Sequence, residues 1–383
     1  MTNWPTLGII CIAIISSAGS TNKAHAVSPD SCLIVGELIG AKRKNVILFK
    51  ASESPLVHRI TIPVIGNAFR YKMESSHPEA YMVVPEDDFL EGPMRPMIIF
   101  TEGTVTLKLH PVSRYEENRV NGGSLNQEYQ RYQASLRQTF REKWATTVRL
   151  WEAVEADSLK KDEALALDSV LRSETLDWEF QYVSNNRTLV SYYILKNYAM
   201  LNADEKHIFS RVKELYPAFV SAFPNHPYTS LIGFIVKGKT SLEDERRFID
   251  FEAEDLEGNA VDLQSLLAPK ATLINFWASW CGPCIIKTRT MLPIYEKFKN
   301  KGFDIINVAR EFDNTDALKN LLERENHLWK TNLVDLNGKY SIWEKYTINT
   351  RAGMMVLIDG YGNVLAVDPT ADQVNDILAG LAM

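Results

Sequence analysis

Cysteine is scarce: four in 383 residues, at positions 11, 32, 281 and 284. So few cannot form the dense, even set that staples a small disulfide scaffold, and the folded state must rest on buried apolar cores. A bilayer-spanning run is lacking too, since the apolar segment Leu7 to Ala18 (LGIICIAIISSA) falls short of the roughly 20 residues needed. Clusters of one charge sign are missing. Lys and Arg (42) are interleaved with Asp and Glu (48) for a net charge of −6, which leaves no basic stripe and excludes nucleic acid as a partner. His58, His77 and His110 show no metal-ligand spacing and read as structural or surface residues, so no metal is expected. A P-x-x-x-T-x-x-C setting is absent as well, and with it the peroxide-reactive cysteine of a peroxidase.

The short apolar run is the right size for the core of a signal peptide, and Ala24-His25-Ala26 supplies the A-x-A pattern of a cleavage site. Residues 1–26 are therefore expected to be removed, giving a mature start at Val27 and a place in the cell envelope, in the periplasm. Met1 to Pro5 contains no Lys or Arg, so a retained N-terminal membrane anchor is the alternative. Neither Cys11, inside the run, nor Cys32, after Pro29-Asp30-Ser31, resembles a lipoprotein site. Cys32 reads as a small apolar residue at the start of a strand.

The remaining length, 45% hydrophobic and 23% charged, suffices for two or three domains. Residues 27–112 form a small all-β domain in this reading: CLIVGELIG, NVILFK, HRITIPVIG, YMVVP, MIIF and TVTLKLH are strand-like runs separated by turn residues, suited to an antiparallel sheet or sandwich. Alternation over Thr104 to Leu109 predicts one wet face, and the unbroken MIIF predicts a central strand. Residues 124–240 read as a helical region that Ser124 can cap, with Trp144, Val148, Trp151 and Val154 on one packed stripe. The aromatic stretch Ser191 to Leu195 reads as core, and Phe223 to Pro227 as a helix break. From 244 to 383 strands and helices alternate: a hairpin around Leu256-Glu257-Gly258-Asn259, a buried strand ATLINFW, a helix from Cys284 to Asn300, a strand FDIINVA, a helix Asp316 to Glu325, two strands across Gly360 to Asn363, and a terminal helix. This β-α-β-α-β-β-α order describes an α/β domain with helices on both faces of its sheet.

Cys281-Gly282-Pro283-Cys284 lies where the buried strand ATLINFW meets a helix. The first thiol then faces unpaired N–H groups and the positive end of the helix dipole, which favours its thiolate. Cys281 is accordingly the nucleophile; Cys284, one turn in, is the shielded resolving thiol. The two-residue spacer lets the sulfurs join, Gly282 admits a partner chain closely, and Pro283 gives up an N–H that had no helical acceptor. A zinc site would need two further ligands, and only Cys32 and scattered histidines remain.

With Trp277-Ala278-Ser279-Trp280 ahead of the motif, the segment resembles the active site of the TlpA/ResA group of thioredoxin-like envelope proteins. Tyr295 to Phe298 with Lys301-Gly302-Phe303, and Leu357-Ile358-Asp359 before a glycine turn, extend the likeness over about residues 247 to 383. The upstream part is similar, more loosely, to an uncharacterised arrangement that often precedes such domains. The resemblance implies a thioredoxin-like C-terminal domain and a thiol-disulfide oxidoreductase whose working group is the Cys281–Cys284 redox disulfide, with no other cofactor. It implies partners among envelope protein thiols and disulfides, apocytochromes c included, and an external electron donor, with reduction as the usual direction. Trp280, Gly282 and Pro283 make up the active-site loop.

Three departures concern residues expected to modulate the site alongside Trp277. Lys287 stands where a glutamate is common. Arg289 replaces a helix proline, with Pro293 four residues later, which moves any kink away from the dithiol. Arg351-Ala352-Gly353-Met354 lacks the usual cis-proline, so Ala352 or Gly353 must supply the backbone that faces substrate and sulfurs, through a trans bond. A thioredoxin-fold binding or scaffold protein with weak redox activity is the alternative reading; the departures favour it and the intact WCGPC disfavours it.

Overall fold

The computed structural model describes residues 31–381 apart from 43, 54, 56–57, 75, 93, 157–160, 326–328, 330 and 349–352. The expected leader, residues 1–26, lies outside the described residues.

Ile- and Val-rich segments pair into β1 (Ser31–Leu38), β2 (Asn45–Lys50), β3 (Ile60–Pro63), β4 (Ala68–Glu74) and β5 (Ala80–Pro85), followed by α1 (Glu86–Leu90), β6 (Met97–Phe100), β7 (Thr104–Leu109) and β8 (Arg119–Asn121). They make two four-stranded sheets, β4-β1-β7-β8 and β3-β2-β5-β6. Side chains alternate across each pleat, so Cys32, Ile34, Val105 and Leu107 of one sheet meet Val46, Leu48, Val83 and Ile99 of the other in one core. Three details differ from the sequence reading. β1 and β7 run parallel, because the chain builds most of the second sheet before it returns to the first. MIIF, as β6, is an edge strand and is apolar because the next helix covers it: the Asn126 amide accepts from Phe100 N and donates to Phe100 O, both at 2.8 Å, in place of a neighbouring strand. The first sheet also continues to β8, beyond residue 112.

The helices are α2 (Ser124–Ala156), α3 (Lys161–Asn185), α4 (Leu189–Leu201), α5 (Lys206–Ala222) and α6 (Pro227–Lys239). α4 is their centre, with Val190, Tyr192 and Leu195 fully buried, so the aromatic stretch is core. Ser124 is itself helical; the cap comes from Glu102, whose carboxylate accepts from Ser124 Oγ and Leu125 N. The Trp144 to Val154 stripe is only half covered, with Val148 exposed, because the core gathers at the opposite end of α2 around Tyr132. His226 caps α6, accepting from Tyr228 N, with Pro227 in its first turn.

A π-helical turn, Thr240–Asp244, carries α6 into the last unit without a linker. There follow β9 (Glu252–Asp255), β10 (Ala260–Asp262), β11 (Ala271–Trp277), α7 (Gly282–Thr290), α8 (Leu292–Phe298), β12 (Phe303–Glu311), α9 (Asp316–Arg324), β13 (Thr331–Leu336), α10 (Ile342–Lys345), β14 (Met354–Asp359), β15 (Val364–Val367) and α11 (Ala371–Gly380). The sheet order is β10-β9-β13-β12-β11-β14-β15, with β11, β12 and β13 parallel. All seven residues of β11 are buried, Ile274 and Phe276 on one face and Leu273 on the other, since helices cover both sides. β13 and α10 were not foreseen. The helix expected from Cys284 to Asn300 is two helices that break at Met291, with Pro293 in the first turn of α8, so the bend does lie away from the dithiol.

Candidate active site

β11 is a central strand, and its C-terminal end delivers Ala278, Ser279 and Trp280 to the start of α7. Cys281 is the N-cap residue of α7, extended at φ −93° and ψ 90°, with Pro283 in the first turn. Its sulfur is bonded to that of Cys284 across a Cα–Cα separation of 5.3 Å. The Cys284 N–H also points at Cys281 Sγ, 3.3 Å away. A thiolate released there by reduction would sit at a free helix N–H and at the positive end of the dipole.

One expectation is corrected. In this disulfide form Cys281 is the more enclosed residue, 5% exposed, and Cys284 is only half-buried. The joined sulfur of Cys281 turns onto the first helical turn, whereas Cys284 borders a small cavity of about 140 Å³ together with Asn275, Lys287, Gly353 and Asp368.

The loop residues divide by role. Trp280 is half exposed; its ring stacks on Phe312 at 5.7 Å and its Nε1 donates to Arg310 O at 3.2 Å. Gly282 and Pro283 are exposed, and among the described residues a Cβ on Gly282 would meet nothing beyond its chain neighbours and its own helix, which leaves the space to a partner. Trp277 is a core residue, 2% exposed, packed with Leu318 and Leu322 behind Cys284. Gly353 is brought to the sulfurs: a Cβ there would lie 2.3 Å from Phe276 O and 3.0 Å from Cys284 Sγ. Ala352 lies outside the described residues, and none of the described peptide bonds is cis. Lys287 neither faces the sulfurs alone nor extends freely into solvent. Its ammonium is ion-paired with Asp368, which brings a carboxylate of the β15–α11 connection into the cavity beside Cys284. Arg289 makes a paired contact with Glu325, 2.9 and 2.7 Å, tying α7 to the end of α9.

Sequence reasoning missed three participants. Asp368 is distant in sequence and carries no local signal. Asn275, directly under α7, donates to Thr288 Oγ1 and Asn307 Oδ1, and Asn307 donates on to Asn332, a neutral amide ladder across the parallel strands. Glu311, at the end of β12, is 2% exposed and accepts from Ser279 N and Ser279 Oγ, both at 2.7 Å. Burial pushes its carboxyl pKa up, against the pull of the two hydrogen bonds. Its sequence signal is slight: an acidic residue closing FDIINVARE, a strand that also carries Asp304, Asn307 and Arg310.

Cys32 stands apart from this site, 1% exposed in the β-sandwich core, its thiol pushed up to about 11 chiefly by burial.

The sequence model of the redoxin family matches residues 243–381. Over 98 residues the chain is 35% identical to the thiol-disulfide oxidoreductase ResA of Bacillus thuringiensis (strain Al Hakam), covering 25% of this chain and 54% of that protein. A thioredoxin-like protein of Haemophilus influenzae is 29% identical over 107 residues, 28% of this chain and 60% of that one. Among solved structures, the thioredoxin domain of a thiol-disulfide oxidoreductase from Bacteroides vulgatus is 25% identical at a TM-score of 0.32, covering 36% of this chain and 96% of that one. The chain spans about half the length of the ResA proteins it matches. The C-terminal domain is thus thioredoxin-like, with the redoxin match over residues 243–381, and similar to ResA-type proteins.

Proposed function

We propose that this protein is a thiol-disulfide oxidoreductase that exchanges disulfides with exported proteins of the bacterial cell envelope, working in the reducing direction. One observation carries the reading: a Cys281–Cys284 disulfide at the start of α7, with a helix N–H aimed at the first sulfur. The relatives named as thiol-disulfide oxidoreductases support it.

In the reduced protein the Cys281 thiolate attacks one sulfur of a partner disulfide, forming a mixed disulfide and releasing the partner's other sulfur as a thiolate. Cys284 then loses its proton and attacks Cys281 Sγ, expelling the partner's second thiolate. The partner gains two electrons and, with two protons, becomes a dithiol, while Cys281 and Cys284 become the disulfide. A dithiol donor in the envelope restores the reduced form; no other group takes part. Apocytochromes c are candidate partners within this class. The leader-like residues 1–26 support the envelope location, which N-terminal sequencing of the protein recovered from a periplasmic extract tests, with Val27 expected first.

Cys281→Ala is expected to abolish disulfide reduction, and Cys284→Ala to accumulate mixed disulfides that resolve on added dithiothreitol. Equal trapping by the two variants would reject the assigned roles.

A further inference from the structure

Three consecutive residues at the C-terminal end of β12 hold the loop that carries the first cysteine. Arg310 O accepts from Trp280 Nε1, the Glu311 carboxylate accepts from Ser279 N and Ser279 Oγ, and the Phe312 ring lies parallel to the Trp280 ring within 20°. From the Glu311 contacts we infer that Glu311 is the positioning residue of the dithiol: it fixes the Ser279-Trp280 approach to Cys281, and its buried negative charge holds the Cys281 thiolate less stable than the helix terminus alone would make it. The inference rests on the oxidoreductase reading and extends it to what sets the poise of the site.

A carboxylate that is 2% exposed carries a large desolvation cost, and in this structure both of its hydrogen-bonded donors belong to one residue of the active-site loop. Such a group is over-built for merely closing a strand. A neutral amide could accept the same backbone N–H, as Asn126 Oδ1 does from Phe100 N elsewhere in the molecule. The consequence of choosing a charge is electrostatic. Ser279 is two residues from Cys281, and a buried anion there is poorly screened by solvent. It opposes the effect of the α7 dipole on the same sulfur. Destabilising the thiolate relative to the disulfide makes the dithiol a better reductant.

Geometry and charge can be separated. In Glu311→Gln the side-chain oxygen still accepts from Ser279 N, and the amide can donate to Ser279 Oγ, which also accepts, so the loop is retained without the charge. In Glu311→Ala both bonds are lost. The intact chain and both variants would be titrated for thiolate absorbance and equilibrated with reduced and oxidised glutathione, with near-UV circular dichroism as the check on folding. Glu311→Gln is expected to lower the Cys281 pKa and shift the equilibrium toward the dithiol by about threefold or more. A folded Glu311→Gln protein with unchanged pKa and unchanged equilibrium would overturn the inference. Should Glu311→Ala fail to fold, the glutamine variant still decides. Failure of the parent protein to exchange with glutathione at all would instead overturn the oxidoreductase reading.

Discussion

At the scale of single residues, the chemistry of this site is set by which charges accompany two sulfurs whose placement the motif already specifies. Lys287 would by itself favour the thiolate, but Asp368 meets it and cancels much of that effect. The pair therefore yields shifts of opposite sign. Asp368→Asn leaves an uncompensated cation beside Cys284 and is expected to lower the dithiol's apparent pKa. Lys287→Glu sets two carboxylates together and is expected to raise it. Each change should be roughly half a pH unit, since both side chains are about a third exposed and solvent screens them. Thiolate absorbance against pH reads both. Shifts of the same sign, or none, would remove the pair from the electrostatics of the site. Lys287 was readable from its spacing after Cys284, but its partner was not, because the two positions are 81 residues apart and meet only where the side chain of Lys287 on α7 reaches the β15–α11 connection.

At the scale of elements, strands with largely apolar runs were legible: β11 and β12 read as buried strands and are buried on both faces, and β14 read as a strand paired across the glycine turn. β13 was missed because Asn332 and Asp335 interrupt its apolar run, and both are buried for reasons that lie on neighbouring elements. Asn332 accepts from Asn307, and Asp335 accepts from Tyr340 N and Ile342 N at the start of α10. β4 was missed for a related reason, its charged residues alternating outward along AFRYKME. Helix contacts leave still less trace in sequence. Gly238 on α6 looks like an ordinary helix-weakening glycine, yet it is where α6 lies against α10: a Cβ would fall 1.9 Å from Lys345 O, a backbone atom that cannot swing aside. Gly238→Ala is therefore expected to destabilise the protein by about 1–3 kcal/mol despite alanine's better helix propensity. Gly282→Ala, whose Cβ meets none of the described residues outside its own helix, is the matched control and should stay within about 0.5 kcal/mol. Urea unfolding of both variants checks this, and equal effects would mean that α6 and α10 do not meet as described.

At the scale of the whole molecule, the segments are joined by buried polar contacts as well as by apolar area. Lys196 of α4 is fully buried, donates to Ala51 O of the β-sandwich at 2.9 Å and lies over the Tyr193 and Tyr228 rings. Burial lowers its pKa to about 7, whereas in the unfolded chain a lysine titrates near ~10.4. Between those values the unfolded chain holds more protons, so stability increases as pH rises from about 7 to about 10, is lost as pH falls through the same window, and changes no further below about 7. Lys196→Met should flatten that rise. Urea midpoints at pH 7 and pH 9.5 for both proteins measure it, and parallel profiles would show Lys196 to be solvated. What the sequence by itself determined is the local part: which runs are strands or helices, where the dithiol sits, and that its first sulfur meets a helix start, because periodicity, capping and the Cys-Gly-Pro-Cys spacing act over a few residues. Which carboxylate clamps the loop, which one neutralises Lys287, which glycine faces the sulfurs and which strand runs parallel to β1 were decided only by the tertiary structure. Each of these depends on residues far apart in the chain being driven together by burial, and the cost of burying a charge or a backbone group without a partner then selects the one arrangement in which it finds one.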